Sequence, residues 1–455
     1  MPINRTPPEI LSLIPHFWES YSRDQDVIAL THVCQAWRDL FVSCPSLWTK
    51  LDCVDLDRTR VYLERSKSSP IDLSLDSDHC TSLSDPFFNF LPHVAGRLKS
   101  LHIEGGSKHL QPISAYLLRP APLLEELRIR SYNDPVLPST FLNEDLSSLR
   151  LLYLEEVRTE LPWRNMVNLT SFTLIHESPI SASQYLDFFE SAPHLQHVSL
   201  SAEIPITDVQ NGRLVPMTCL KRMNCGGCSA SHLFDHLLIP VGARLQMRVD
   251  LPNPTEGRTL KFIDNLKNLP NFTTIGLDTD MTSMWFRGPN GEVRMTPSAF
   301  DTSSMLGYLA YFDTSMTEWL WIKGGKSPNS TLPYSALLPM KGLRTLTLTR
   351  CEDPHIFVHA LHPGTSSSGV VVCPELEELV IEHKAAFDLK VIEGVVAARA
   401  SRGAKLKLIR IISWYGTIED QIDASELKNL VSRVETALKI QPPFPGPGEW
   451  VHVFS

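Results

Sequence analysis

At 455 residues the chain has room for roughly two to four domains of about 100–200 residues each, or for one long repeat array. A formal net charge of −9, with 20% charged residues and no Lys/Arg block beyond a pair or triplet, excludes the electrostatic footprint of a nucleic-acid binder. The nine Cys fall at irregular spacings and read as reduced thiols, no stretch approaches eighteen uninterrupted apolar residues, and the start MPINRTPPEI has no basic segment leading into an apolar core. The expectation is a protein of the cytosol or nucleus, with no membrane partner.

In chain order, Pro7-Pro8-Glu9 suits a helix start, because Pro tolerates the first turn and an acid favours the helix N-terminus. Ile10, Leu11 and Ile14 then share one face. After the polar ESYSRDQ, a second helix is expected from Ile28, Leu30, Val33, Cys34, Trp37 and Leu40 or Phe41, which recur at three- and four-residue steps. CPSLW places Leu47 and Trp48 on a short third turn behind Pro45. Three short helices cannot bury so many apolar groups among themselves, and the surplus implies a partner surface.

From about residue 70 the pattern becomes a recurrent L-x-x-L-x-L phrase, following an early strand at Ile71, Leu73 and Leu75. The phrase stands at Leu98-Leu101-Ile103, Leu124-Leu127-Ile129, Leu149-Leu152-Leu154, Leu169-Phe172-Leu174, Leu195-Val198-Leu200 and Leu220-Met223-Cys225. Successive starts are 26, 25, 20, 26 and 25 residues apart, within the range of about 20–29 for leucine-rich repeats. It persists at wider intervals at Phe272-Ile275-Leu277, Leu343-Leu346-Leu348, Leu376-Leu379-Ile381 and Leu406-Ile409-Ile411. Units of strand, loop, helix and return must stack to bury their apolar faces, so an α/β repeat solenoid, a horseshoe with strands on the concave side, is expected over residues 52–418. LPNPTEGRT, RGPNGEVRMTPSAFDTSS and PGTSSSG read as inserted loops. Ile418, Ile422, Leu427, Leu430, Val431, Val434 and Leu438 read as one capping helix within a C-terminal segment 419–455.

Residues 6–48 resemble an F-box, and the remainder resembles the leucine-rich-repeat-like region of fungal F-box proteins. The resemblance is carried by Pro7, Glu9, Ile10, Leu11 and Ile14, then Leu30, Val33, Cys34 and Trp37, then Ser46, Leu47 and Trp48. Thr6 stands where the motif usually has Leu, and the segment PHFWESYSRDQ is longer than the common form. The resemblance implies a three-helix F-box at 1–51 and a role as substrate receptor of an SCF-type cullin-RING ubiquitin ligase. Pro7, Glu9, Ile10, Leu11, Ile14, Leu30, Val33, Cys34, Trp37, Leu47 and Trp48 would then meet the Skp adaptor, the repeats would hold a protein substrate, and the chain itself would be non-catalytic. A non-degradative scaffold uses the same surfaces and is the alternative.

CGGCSASHLFDH offers Cys225, Cys228, His232 and His236 as zinc ligands. The gap between Cys228 and His232 is far below the roughly twelve residues that let a finger fold back, and the repeat register already explains both thiols. Cys225 takes the third apolar position of its phrase, and Cys228 takes the Asn/Cys position that Cys351 repeats. GGKS at 324–327 lacks the Gly that a phosphate loop needs five residues before Gly325, where Leu320 stands. No metal, cofactor or hydrolytic triad is therefore expected.

MTEWLWIKG admits two registers, with either Met316-Trp319-Trp321 or Thr317-Leu320-Ile322 turned inward. The second is preferred, because two indoles would overpack a thin core and leave two N–H donors to satisfy. Trp319, Trp321 and Lys323 then become the expected substrate-contacting group.

Overall fold

The computed structural model describes residue 10 and residues 23–52, 55–76, 91–106, 120–132, 135–137, 146–159, 166–176, 180–201, 212–226, 231–249, 271–297, 302–324, 328, 331–365, 370–383, 389–413 and 425–437. They form an α/β protein dominated by sheet, and the chain divides into two compact units, Met1–Gly227 and Cys228–Ser455.

The first unit opens with helices α1 (Arg23–Thr31) and α2 (Gln35–Val42), packed on each other, and a 3₁₀ turn at Pro45–Trp48. The single helix expected across Ile28 to Phe41 is therefore two. The Thr31 hydroxyl donates to the Ile28 carbonyl (2.6 Å), His32 and Val33 close tight i to i−3 bonds, and Cys34 is extended (φ −160°, ψ 170°) ahead of α2. Two β-branched residues and Cys sit in this break, all weaker helix formers than the Leu and Ala beside them. Arg38 Nε then donates to the Thr31 carbonyl (3.0 Å), which α1 leaves open. Helix α3 (Leu56–Ser66) is started by Asp55, whose carboxylate accepts from the backbone N–H groups of Asp57 (2.9 Å) and Arg58 (3.2 Å).

The sheet of this unit is a parallel ladder: β1 (Lys50–Asp52), β2 (Ile71–Asp76), β3 (Leu98–Gly105), β4 (Glu126–Ser131), β5 (Leu151–Glu155), β6 (Ser171–Ile175), β7 (His197–Ser201) and β8 (Arg222–Cys225), each paired with the next. Leu101, Leu127, Leu152, Phe172, Val198 and Met223 lie in register and are fully buried. Period-2 alternation turns one set of side chains to this core and the other set away from it. Helix α4 (Ala182–Ser191) covers the core side; Ser181 and Gln184 form a capping box, and Phe188 meets Phe172 at 4.4 Å between ring centroids.

The second unit contains a feature the sequence reading placed in a loop. After β9 (Arg244–Val249) come β10 (Thr274–Asp278) and an antiparallel hairpin, β11 (Ser283–Gly288) and β12 (Gly291–Pro297), turning at Pro289–Asn290. Met284, Phe286, Val293 and Met295 alternate inward and are fully buried, so period-2 patterning outweighs the Gly and Pro of the turn. β12 pairs with β9, β11 with β10, and β10 continues in parallel to β13 (Trp319–Lys323), β14 (Thr345–Thr349), β15 (Glu378–His383), β16 (Leu408–Ser413) and β17 (Arg433–Ala437). Helices α5 (Thr302–Tyr308), α6 (Thr331–Leu337), α7 (His355–Ala360), α8 (Leu389–Ala400) and α9 (Ser425–Leu430) pack side by side in sequence order.

The expected C-terminal capping helix is also revised: α9 ends at Leu430 and Val434 belongs to β17, where β-branched residues suit a strand better than a helix. Ile418, Ile422 and Leu438 lie outside the described residues, as does LPNPTEGRT. Arg399 in α8 is fully buried, and its guanidinium donates to the carbonyls of Val372 (2.6 Å), Cys373 (2.7 Å) and Leu361 (3.4 Å). Carbonyl dipoles replace the missing carboxylate, and burial holds its pKa below the ordinary value. Among the described residues no helix is long and apolar enough to cross a membrane.

Candidate functional site: the N-terminal helices and the second sheet face

The N-terminal helices sort their apolar residues into two sets. Val27, Phe41, Leu47 and Trp48 are buried. Trp48 joins three elements: its Nε1–H donates to the Phe41 carbonyl (2.9 Å), its ring meets Tyr62 of α3 edge-on at 4.9 Å, and the Arg65 guanidinium lies 4.3 Å over it. Leu47 and Trp48, expected among the adaptor contacts, are thus core residues tying the helices to α3. The other set stays at the surface. Val33 is 59% and Ile10 52% exposed, Cys34 is exposed, and Leu30 and Trp37 are half-buried. Trp37 is held edge-on to Phe41 at 5.6 Å. Pro7, Glu9, Leu11 and Ile14 lie outside the described residues.

On the sheet of the second unit, Thr317, Leu320 and Ile322 are fully buried in the core, which is the preferred register. Trp319, Trp321 and Lys323 accordingly alternate to the other face. Trp321 is nevertheless only 2% exposed, which corrects the expectation that it projects from the surface. The physical reason is the hairpin. Trp285 of β11 and Trp321 of β13 both pair with Gly276 of β10, and over that glycine, which carries no side chain, the indoles meet at 5.9 Å between centroids. Arg294 of β12, paired with Trp285, lies over its ring at 5.1 Å.

The two N–H donors that argued against burial are satisfied on the diagonal. Trp321 Nε1 donates to Thr349 Oγ1 (3.0 Å) and Trp319 Nε1 to Thr347 Oγ1 (3.1 Å). Lys323 Nζ pairs with the buried Asp278 carboxylate (2.9 Å) and with Asp280 (3.6 Å). Burial lowers the Arg294 pKa, against the pull of Asp278 and Glu292. Trp319, half-buried, and Lys323 are the members of this group that reach solvent, so the face offers one indole and one cation beside a closed aromatic floor.

Trp285 and Arg294 were not singled out from the sequence. The signal was present: Met284/Phe286 and Val293/Met295 alternate around GPNG, and the residues between them are Trp285 and Arg294.

Cys225 is fully buried at the end of β8, and burial pushes its thiol pKa strongly up, as for a packing residue and not a ready thiolate ligand. Cys351, also buried, donates to the carbonyls of Ile322 (3.7 Å) and Thr349 (3.8 Å). Cys228 lies outside the described residues. Among the described residues no group of three or more His, Cys, Asp and Glu is placed to hold a metal ion.

Compared with protein-family models and with curated proteins, the chain has no match.

Proposed function

We propose that this chain is the substrate-recognition subunit of an SCF-type ubiquitin ligase, with the N-terminal helices docking a Skp-type adaptor and, through it, cullin, and with a leucine-rich-repeat-like solenoid holding a protein substrate. The observation that carries the reading is the division of the F-box-like residues into a buried set and a surface set. Val33, Cys34 and Ile10 stand exposed although they are apolar, while Leu47 and Trp48 secure the helices from behind. An interface with a hydrophobic centre needs such residues at the surface. The parallel ladder with its buried Leu phrases supports the solenoid part of the proposal. In this role the protein contributes proximity, raising the effective concentration of substrate lysines near the charged ubiquitin-carrying enzyme.

The test is adaptor pull-down with Val33→Asp and Ile10→Asp. Both side chains are exposed, so folding should survive, while a charge at the contact is expected to weaken adaptor capture by tenfold or more, on the order of the cost of burying an unpaired charge. Undiminished capture by the double variant would sink the assignment. Capture of adaptor without cullin would favour the scaffold role instead.

A further inference from the structure

The first unit carries a groove of about 660 Å³ along the N-terminal ends of its strands, and none of the residues discussed above lines it. It arises from the repeat itself. Each phrase begins with a buried Leu, so the residues on either side of that Leu must point outward and form two walls. One wall is the column following the Leu: Lys99, Glu125, Arg150, Thr170 and Gln196. The other follows the preceding position and includes Leu123, Asn168 and His194. Between them the backbone is already hydrogen-bonded across strands, from Glu125 N to Lys99 O (2.8 Å), Arg150 N to Glu125 O (2.8 Å), Thr170 N to Arg150 O (2.9 Å) and Gln196 N to Thr170 O (2.8 Å). Only side chains remain to meet a ligand.

Their charges are informative. Arg128 and Arg130, on the strands themselves, have carboxylate partners in Glu126, Glu104 and Glu155. Among the described residues, Lys99 and Arg150, both exposed, have no ion-pair partner, and Glu125, between them in the column, pairs with neither. Two unneutralised cations line this groove on a chain whose net charge is −9. Adjacent strands lie about 4.8 Å apart, so Lys99 and Arg150, two strands apart, are separated by about 10 Å, close to the advance of one three-residue turn of a polyproline II chain, in which side chains three positions apart share one side. The anion between them opposes a continuous polyanion such as nucleic acid, which would set a phosphate against Glu125. Asn168 Nδ2 already donates to the Ser147 carbonyl (2.7 Å) and Thr170 Oγ1 to the Arg150 carbonyl (3.0 Å), so these two offer their oxygens as acceptors for peptide N–H groups, Gln196 offers its amide, and the 47% exposed Leu123 offers an apolar contact.

We propose that this groove binds an acidic peptide segment lying across the strand ends in the polyproline II conformation, with carboxylates three positions apart on Lys99 and Arg150 and an uncharged or basic side chain opposite Glu125. The volume is within the range of about 300–1,000 Å³ of ligand sites and fits a segment of a few residues. The site stands apart from the ligase reading and does not depend on it.

The experiment is fluorescence anisotropy of the full chain with a fluorescein-labelled eight-residue peptide carrying two aspartates three positions apart in a serine–glycine background. Saturable, salt-weakened binding is expected, with Lys99→Glu and Arg150→Glu each weakening it about tenfold and Glu125→Gln tightening it several-fold, as charge complementarity requires. Circular dichroism melts verify folding; if a reversal disturbs it, Lys99→Gln and Arg150→Gln take its place and are expected to weaken binding less, in the same direction. Lack of saturable binding would overturn the proposal. So would unchanged affinity in the Lys99/Arg150 double variant, equal binding of the all-serine peptide, or preference for a single-stranded DNA oligonucleotide. Val33→Asp, which tests the adaptor face, should leave peptide binding as it is.

Discussion

The two units share one core rule and differ on the sheet face turned away from the core. In the first unit that face carries paired charges. Arg130 bridges Glu104 (3.2 Å) and Glu155 (3.3 Å), Tyr132 donates to Glu104 (2.7 Å), and Tyr153 donates to Glu155. In the second unit the same kind of face also has ion pairs, Lys323–Asp278 (2.9 Å) and Arg410–Glu435 (2.8 Å), but adds Trp285, Trp321 and Arg294, all at 9% exposure or less. The inward residues are nearly interchangeable between units, mainly Leu, Ile and Met, so they set the ladder and leave the other face free to vary. A face of exposed ion pairs contributes little to stability, whereas a face closed by stacked indoles becomes a second packed layer.

That contrast is most directly broken at Trp321. Trp321→Ala removes a buried indole with its stacking and hydrogen bond, and should cost about 3–5 kcal/mol in urea unfolding. A loss below about 1 kcal/mol would mean that the second unit's face is as dispensable as the first's. Next is Gly276→Val, which places a branched side chain where the two indoles meet. Overpacking of this kind costs about 1–3 kcal/mol, and a changed tryptophan fluorescence spectrum should accompany it. An unchanged spectrum would argue that the indoles do not meet over this residue.

Alkaline titration sharpens the comparison through different groups. In the second unit burial pushes the thiols of Cys351 and Cys373 up to about 12 from 9.0. In the first, burial and the hydrogen bond to Glu155 push the Tyr153 hydroxyl up to about 12 from 10.0. In each case the unfolded chain releases its proton first, so the stability is complete below the ordinary value and is lost as pH rises toward 12. Loss should therefore begin near pH 9 in the second unit; in the first it also begins near pH 9, because the buried Cys225 thiol is raised from 9.0 as well, and Tyr153 adds a further loss from near pH 10. Cys351→Ala with Cys373→Ala should shift the onset upward in pH in the second unit while Cys225 keeps it near pH 9 in the first, and Tyr153→Phe should flatten the later part in the first; an unshifted onset in the second unit would show that its thiols do not govern it.

The smallest effect is expected at Arg130→Ala. Its side chain is 47% exposed, and removing its two ion pairs should change stability by less than about 1 kcal/mol, with less effect still at high salt. A loss of 3 kcal/mol, measured in the same urea series, would erase the distinction between the faces.

The repeat phrase was legible because it is a burial code with a local period. Leu124-Leu127-Ile129 and Leu343-Leu346-Leu348 are buried, with their last two residues on adjacent positions of one strand face, and no knowledge of the rest of the chain was needed to see it. The register of MTEWLWIKG followed from the same logic, since Leu320 and Ile322 fit the core and the indoles between them had to alternate away. The 3₁₀ turn behind Pro45 is equally local.

Tertiary structure decided what lies above those alternating positions. Nothing near Trp321 in sequence says that Trp285, 36 residues earlier, will cross Gly276 and cover it. Nothing near Leu47 and Trp48 says that Tyr62 and Arg65 will enclose the indole and withdraw the pair from the surface. Nothing near Arg399 in VVAARA says that the carbonyls of Leu361, Val372 and Cys373 will converge on it and let it be buried. Periodicity fixes the direction a side chain takes from its own backbone, whereas exposure depends on which other segment arrives in that direction, a property of chain crossings tens of residues apart.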